Sequence, residues 1–596
     1  MWRQHPLVLV RRKATAAKAK GFQGRSAFKV DQRSRNVEAW RNRFETIPVA
    51  TSSYSTTETD PSNANSPEVQ VTAPVVEVQL SAPEPTQVSF HAAGRIRRAL
   101  VPSFSDCFFM ALVGWLFIFG ASGWKALLGD GDTGWHIRTG QYILAHHAVP
   151  TQDLFSFSRA GAPWFAWEWL TDVMYAALFQ MGGLKAIVLA AGLMIGIFST
   201  VVLRYTLWRG ANPLVALFST LLAAGASSMH FLARPHLFTL LLVPVGFWVL
   251  EADRRKNTCW LWALIPVTVL WTNLHGGFVI FLACIALLVA GSALEAWLGA
   301  PRWPAVRRYG LLLVACSLAS LINPYGVQLH VHIFEYLRAD WIKNIVQEFQ
   351  APTFRNEGQL QYEALLLAGL IAIGFLLRKR RFIEALWILF LAHASLISVR
   401  HAPIYATIAA PLIACELSEW WSAGAARMKK SAAVRILHDL GTDLSRGFRR
   451  TSCWPAVFAL VLVVLDAPLK WPRDFPGELF PTTMIHKHAG LVAHSRLLTT
   501  DQWGDYIIYS FYPDQKVYVD GRSDFYGETF ANQYLHLLQG AYDWRAIVER
   551  NRFDVALLPA DWPLSSLLKQ DPSWQVVDDD HRSVLLRRLS RQAYGK

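Results

Sequence analysis

Residues 129–142 read GDGDTGWHIRTGQY and follow directly on the first long apolar stretch of the chain, residues 105–124. They gather Asp130, Asp132, His136 and Arg138 beside a segment long enough to cross a bilayer. Two carboxylates, an imidazole and a guanidinium are costly to place there, so they mark either a polar loop between helices or a site. The rest of the chain decides between those readings.

The chain has 596 residues, of which 53% are hydrophobic and 17% charged. A soluble domain carries roughly 25% charged residues. Apolar runs of about 20 residues recur along the chain, where a membrane barrel would show short alternating segments. The composition predicts an α-helical polytopic membrane protein. Its net charge of +14 lies mostly in an N-terminal tail and short loops, so topology accounts for it and nucleic acid is not an expected partner. Cys107, Cys259, Cys284, Cys316, Cys415 and Cys453 lie in or beside apolar segments without CxxC spacing, which argues against a disulfide or zinc framework.

Three regions follow. Residues 1–100 are basic (RRKATAAKAK), then rich in Ser, Thr and Pro, and read as a disordered tail. Residues 101–474 hold about eleven apolar spans: 105–124, 185–206, 213–230, 235–252, 259–273, 277–296, 309–325, 361–377, 382–399, 402–418 and 453–468. Residues 475–596 read as a small α/β domain. Its expected strands are KVYVDG, FDVALLP, WQVVDD and SVLLRR, and its expected helices are WGDYIIYSFY, FANQYLHLLQG, DWRAIVERN and PLSSLLK. Alternate loops are basic, among them RYTLWRG, EADRRKN, PRWPAVRRYG and RKRRF. By the positive-inside rule these and the N-terminus are cytoplasmic, which puts residues 475–596 outside a plasma (inner) membrane.

The polar residues at membrane depth then share the outer side. They are Arg234 and His236 (ARPHLF), Asn273 and His275 (TNLHGGF), Asn323 (INPYG), and Arg400 and His401 (SVRHAP), joined by the opening stretch. Arg and His suit a phosphate or pyrophosphate, and a carboxylate suits a general base or a divalent metal. Each member also has a plain structural reading. Arginines snorkel, asparagines satisfy freed backbone groups, and histidines pack. The aromatic stretch APWFAWEWL, with Glu168 inside it, reads as an interfacial anchor or a sugar-stacking wall. Glu348 (IVQEFQAP) lies in a long outer segment.

This pattern resembles the GT-C superfamily of integral membrane glycosyltransferases, which use polyprenyl-phosphate-linked sugars. GDGDTGWHIRTGQY is similar to their first outer loop, and DTGWHIR to the Asp-x-aromatic…Arg stretch of oligosaccharyltransferase catalytic subunits. TTDQWGDYIIYSFYPDQKVYVDG resembles their Trp-Trp-Asp-Tyr-Gly motif and following strand, except that Gly504 parts Trp503 from Asp505 and no Gly follows Tyr506. The layout is also similar to bacterial protein-mannosyltransferase-like proteins.

The resemblance implies a GT-C-like fold and transfer of a sugar to a periplasmic glycan, lipid or protein. Asp132 would be catalytic, with Asp130 and Glu348. Arg138, Arg234, His236, Arg400 and His401 would hold the donor phosphate, and His136, Asn273, His275 and Asn323 would support the site. Trp503, Asp505 and Tyr506 would bind the acceptor. A divalent cofactor, Mg or Mn, stays open, with Asp132 its ligand if there is one. A transporter or lipid-handling protein, or a non-catalytic assembly protein of the same shell, are the alternatives. Transporters place polar groups near the midplane and often show repeats, and this chain shows neither.

Overall fold

The computed structural model describes residues 100–119, 123–355, 358–448, 452–464 and 470–589. The tail read over residues 1–100 therefore lies, but for Leu100, outside the described residues.

Helices dominate the first part. They are α1 (Phe104–Gly114), α2 (Asp132–His146), α3 (Trp169–Arg209), α4 (Pro213–Ser227), α5 (His236–Arg255), α6 (Leu264–Leu274) and α7 (Phe278–Trp297). Then come α8 (Trp303–Ala319), α9 (Val327–Arg338), α10 (Gln359–Arg378), α11 (Phe382–Ile397), α12 (Ala402–Ala426), α13 (Ala433–Phe448) and α14 (Trp454–Val464). Each of the eleven apolar stretches overlaps a helix among the described residues, but not every one of these helices is long enough to be counted as a span. Among the described residues five helices are long and apolar enough to cross a membrane: Trp169–Arg209, Pro213–His230, His236–Arg255, Phe278–Trp297 and Gln359–Arg378. Shorter apolar helices cover Phe104–Ile118, Cys259–Leu274, Phe382–Ile397 and Trp454–Val464.

Local chemistry sets several of these boundaries. Ser103 and Asp106 form a reciprocal capping box at the start of α1. Asn212 caps α4 ahead of Pro213. The long α3 is broken at Gly182–Gly183, where Gly183 takes φ 59°, a conformation that costs glycine little. That kink divides its outer turns from the apolar remainder.

After residue 470 lie α15 (Asp501–Phe511), α16 (Glu528–Leu538), α17 (Trp544–Asn551) and α18 (Pro563–Gln570), the four helices expected there. A four-stranded sheet joins β1 (Leu497–Leu498), β2 (Val555–Pro559), β3 (Trp574–Asp579) and β4 (Ser583–Arg588) in the order β1-β2-β4-β3. β1 runs parallel to β2, and the other pairs are antiparallel. The expected strand KVYVDG is not in this sheet. Val517 pairs instead with Ser156 of the first long loop, exchanging backbone hydrogen bonds with Phe155 and Phe157 at 2.9 Å. Its alternating apolar residues satisfy that loop as well as they would a sheet edge.

This pairing binds the two halves of the chain. One apolar cluster runs from Val113 and Val188, through Phe155 and Trp164, to Tyr506, Leu557 and Leu585. A second cluster fills the space among α5 to α12.

Candidate active site

The site begins at the first turn of α2. Asp130 Oδ1 accepts the Asp132 N–H at 3.0 Å, and Gln502 accepts the Gly131 N–H at 2.9 Å, so the helix start is capped from both halves of the chain. The turn before α5 is sewn to the same place. The Ala233 N–H donates to the Leu127 carbonyl at 2.7 Å, and Thr133 Oγ1 donates to the Ala233 carbonyl at 2.8 Å. Arg234 is thereby delivered onto the carboxylates. Its guanidinium meets Asp130 at 3.0 Å, Asp132 at 2.6 Å and Glu348 at 3.2 Å. Glu348 is held by its own turn, whose carbonyl accepts from Ser398 Oγ at 3.0 Å.

Asp132, Arg234 and Glu348 border a small polar cavity of about 80 Å³ that Trp135, Trp164, Phe165, Trp167, Glu168, His236, His275, Arg400 and residues 521–524 also line. Burial, with Asp130 adding to it, pushes the Asp132 carboxyl up to about 6 against the pull of Arg234. Burial raises Glu168 to about 8, with Asp524 and Asp132 adding to it, against Arg234 and Arg400. The cavity thus faces a carboxylate that ionises below neutrality and a carboxyl that keeps its proton there.

Histidines back this wall. His136 Nδ1 lies 2.5 Å from Asp172 Oδ1, and its Nε2 is 3.7 Å from Glu168. His275 Nδ1 accepts the Gly277 N–H at 3.0 Å, so its proton sits on Nε2, 3.6 Å from Glu168. Burial first, then Arg400 and Arg234, keeps His275 neutral. His236 Nε2 donates to the His230 carbonyl at 2.6 Å.

An apolar groove of about 280 Å³ adjoins the cavity and shares Glu168, His236, His275 and Arg400 with it. Its floor is Ile280 and Ala283 of α7, Ile333 and Leu337 of α9, and Phe390 of α11, with His401 at its edge. A third, outer cleft of about 810 Å³ runs from Gly129 along Thr482, Trp503, Asp561, Trp562 and Asp580.

Most of the residues expected from sequence meet here, and several do other work. Arg138 turns away: six residues past Asp132, it lies about 240° around the helix. It donates to the Tyr509 carbonyl and to Gln141, fastening α2 to α15. Asn273 accepts from Trp169 and donates to Val269 and Ile322, and Asn323 orders the turn at Tyr325. That turn matters indirectly, since the Tyr325 hydroxyl accepts the Ala166 N–H at 2.8 Å and so places the Glu168 segment.

Trp503, Asp505 and Tyr506, expected from sequence to bind an acceptor, part company around α15. Trp503 lines the outer cleft, while the Tyr506 hydroxyl donates to Asp474 at 2.7 Å within an aromatic core. Asp505 is fully buried against the start of α2, where it accepts the Gly521 N–H at 2.9 Å. A Cβ at Gly521 would lie 2.0 Å from Asp132 Oδ1 and 2.8 Å from Asp505 Oδ2, so the two carboxyls crowd one glycine. Burial, then Asp132 and Asp520, raises Asp505 well above the carboxylate range.

Sequence reasoning missed His230, Tyr336 and Asp524 in the cavity wall, and Asp172 behind it. His230 was within reach, since it shares the outer turn with Arg234. Asp524 was not, because only folding brings residue 524 over residue 132.

Solved structures share this architecture. Over 77% of this chain and 69% of the other, it superposes on the archaeal oligosaccharyltransferase AglB from Archaeoglobus fulgidus, in complex with an inhibitory peptide and a dolichol-phosphate, with a TM-score of 0.50 and 13% identity. The chain has an oligosaccharyltransferase fold, of the GT-C kind. The Archaeoglobus fulgidus oligosaccharyltransferase in its apo form matches over 76% of this chain and 69% of that one, with a TM-score of 0.47 and 12% identity. No protein-family model and no curated protein sequence matches the chain. Within this fold the cavity lies against the start of α2 and opens beside the groove, with which it shares residues.

Asp130, Asp132 and Glu348 converge, but on the guanidinium of Arg234. Among the described residues no group of three or more His, Cys, Asp and Glu is arranged to hold a metal ion. These residues do not fit a bound divalent cation.

Proposed function

We propose that the chain is a membrane glycosyltransferase that moves a sugar from a polyprenyl-phosphate-linked donor to an extracytoplasmic acceptor. The observation that carries this reading is the union of a carboxylate-lined polar cavity with an apolar groove at a shared Arg–His wall. A lipid-linked donor needs that combination: a tail in the groove, a phosphate at the wall and a sugar among aromatic rings. The oligosaccharyltransferase fold supports it.

In this reading Arg400, with His236 and His275, holds the donor phosphate, whose charge grows as the glycosidic bond breaks. Trp164, Phe165 and Trp167 face the sugar. Asp132 accepts the proton of the attacking acceptor group, and protonated Glu168 donates a hydrogen bond to the donor. The acceptor extends into the outer cleft past Trp503 and Trp562. The cavity side is extracytoplasmic, and residues 521–524 cover it. The basic loops on the other side make the N-terminus cytoplasmic in a plasma (inner) membrane.

The test is transfer from a panel of radiolabelled polyprenyl-phosphate sugars in membranes. Asp132→Asn is expected to lower transfer on the order of 10²–10⁴-fold while inserting normally. Wild-type transfer by that variant would remove Asp132 from the mechanism. Solute uptake into proteoliposomes without any transfer would favour a transporter.

A further inference from the structure

We propose that the Arg234 guanidinium is a built-in cation, occupying the place a divalent ion would take, so that this site works without a metal. What the cation serves rests on the glycosyl-transfer reading; where it is bound does not. Asp130, Asp132 and Glu348 come from a loop, a helix start and a distant turn, and each turns an oxygen to the one guanidinium, Asp130 and Glu348 to its Nη1 and Asp132 to its Nη2. An all-oxygen set of separate carboxylates is what a hard divalent ion selects, with oxygens at about 2.0–2.6 Å from the metal. Here N–H donors of the chain take its place.

Two features keep them there. The backbone on either side of Arg234 is pinned, through the Ala233 N–H to Leu127 and Thr133 Oγ1 to the Ala233 carbonyl. The guanidinium also cannot lose its proton, so an entering ion would displace a charge already paired three ways. Two carboxylate oxygens have no hydrogen-bond partner here, Asp132 Oδ1 and Asp505 Oδ2, and both lie against Gly521. They belong to two carboxyls rather than three.

The chemical consequence is specific. A guanidinium carries one charge, offers directional hydrogen bonds and does not exchange. It holds Asp132 in place and favours its ionised form, but it cannot act as a Lewis acid on the donor phosphate. That charge must be met by Arg400 and the imidazoles around it.

The test needs no substrate. Full-length protein in nanodiscs is stripped with EDTA and titrated with Mn²⁺, and bound metal is read by electron paramagnetic resonance. Wild type and Asp132→Asn are expected to bind alike. Arg234→Ser is expected to gain about one Mn²⁺ per chain, as the freed oxygens become ligands, and Arg234→Ser with Asp132→Asn to lose it. A stoichiometric Mn²⁺ site in the wild type that Asp132→Asn removes would overturn the proposal, and this arm holds even where Arg234→Ser does not fold. A folded Arg234→Ser that gains no Mn²⁺ overturns it too. In the transfer assay, wild type is expected to keep its rate in EDTA, and a loss of about tenfold or more restored by Mn²⁺ counts against the proposal. Absence of transfer with every donor ends the transferase reading and leaves the titration to decide the cation.

Discussion

Asp132 and Glu168 face one cavity with their proton affinities on opposite sides of neutrality, at about 6 and about 8. In the proposed reaction the signs differ in consequence. Asp132 must be ionised to accept a proton, so activity rises as pH climbs through about 6. Glu168 must keep its proton to donate, so activity falls as pH climbs through about 8. The expected pH–rate profile is a bell between those limbs. Glu168→Gln, an amide that still donates, is expected to retain transfer near neutrality and to flatten the alkaline limb. An unchanged alkaline limb in that variant would take Glu168 out of the profile. Sequence made Asp132 legible, because a carboxylate beside an apolar span is costly. It left Glu168 ambiguous within APWFAWEWL, since an aromatic belt looks the same with or without a cavity behind it. It misjudged Arg138, whose direction depends on the helix turn and not on its nearness to Asp132.

At the scale of elements, α2 works because glycines let other segments approach it. A Cβ at Gly140 would stand 1.9 Å from the Asp172 carbonyl oxygen on α3, and that neighbour is backbone, which cannot rotate away. Gly140→Ala is therefore expected to separate α2 from α3 and to destabilise the protein by about 1–3 kcal/mol or more. A thermal melt in detergent measures this, and an unchanged melting temperature would show that the contact is looser. Gly521→Ala differs in kind. Its added methyl meets the Asp132 carboxylate, so transfer is expected to fall while the melt shifts little, a contrast the paired assays read directly. The helices themselves were legible from apolar periodicity and length. The strand KVYVDG was not placed correctly, because alternation marks a segment that will pair and says nothing of its partner. That partner, Ser156 and its neighbours, lies some 360 residues away.

For the molecule as a whole, the proposed function assigns the groove to the lipid tail of the donor. Filling it with Ala283→Trp is expected to raise KM for a long-tailed polyprenyl donor by about tenfold, with less effect on a donor whose tail is truncated. Equal effects on both donors would mean that the groove does not hold the tail. Sequence alone determined the apolar helices, the Arg, His and Asp residues at their ends, and the resemblance to a GT-C fold. Hydropathy and charge are properties of local composition, and they survive without knowing any contact. Tertiary structure alone decided that three carboxylates share Arg234, that Asp505 leaves its motif to press on Asp132, and that residues 521–524 close the cavity. Those facts depend on long-range packing, in which residues hundreds of positions apart become neighbours, and no local pattern encodes which ones will meet.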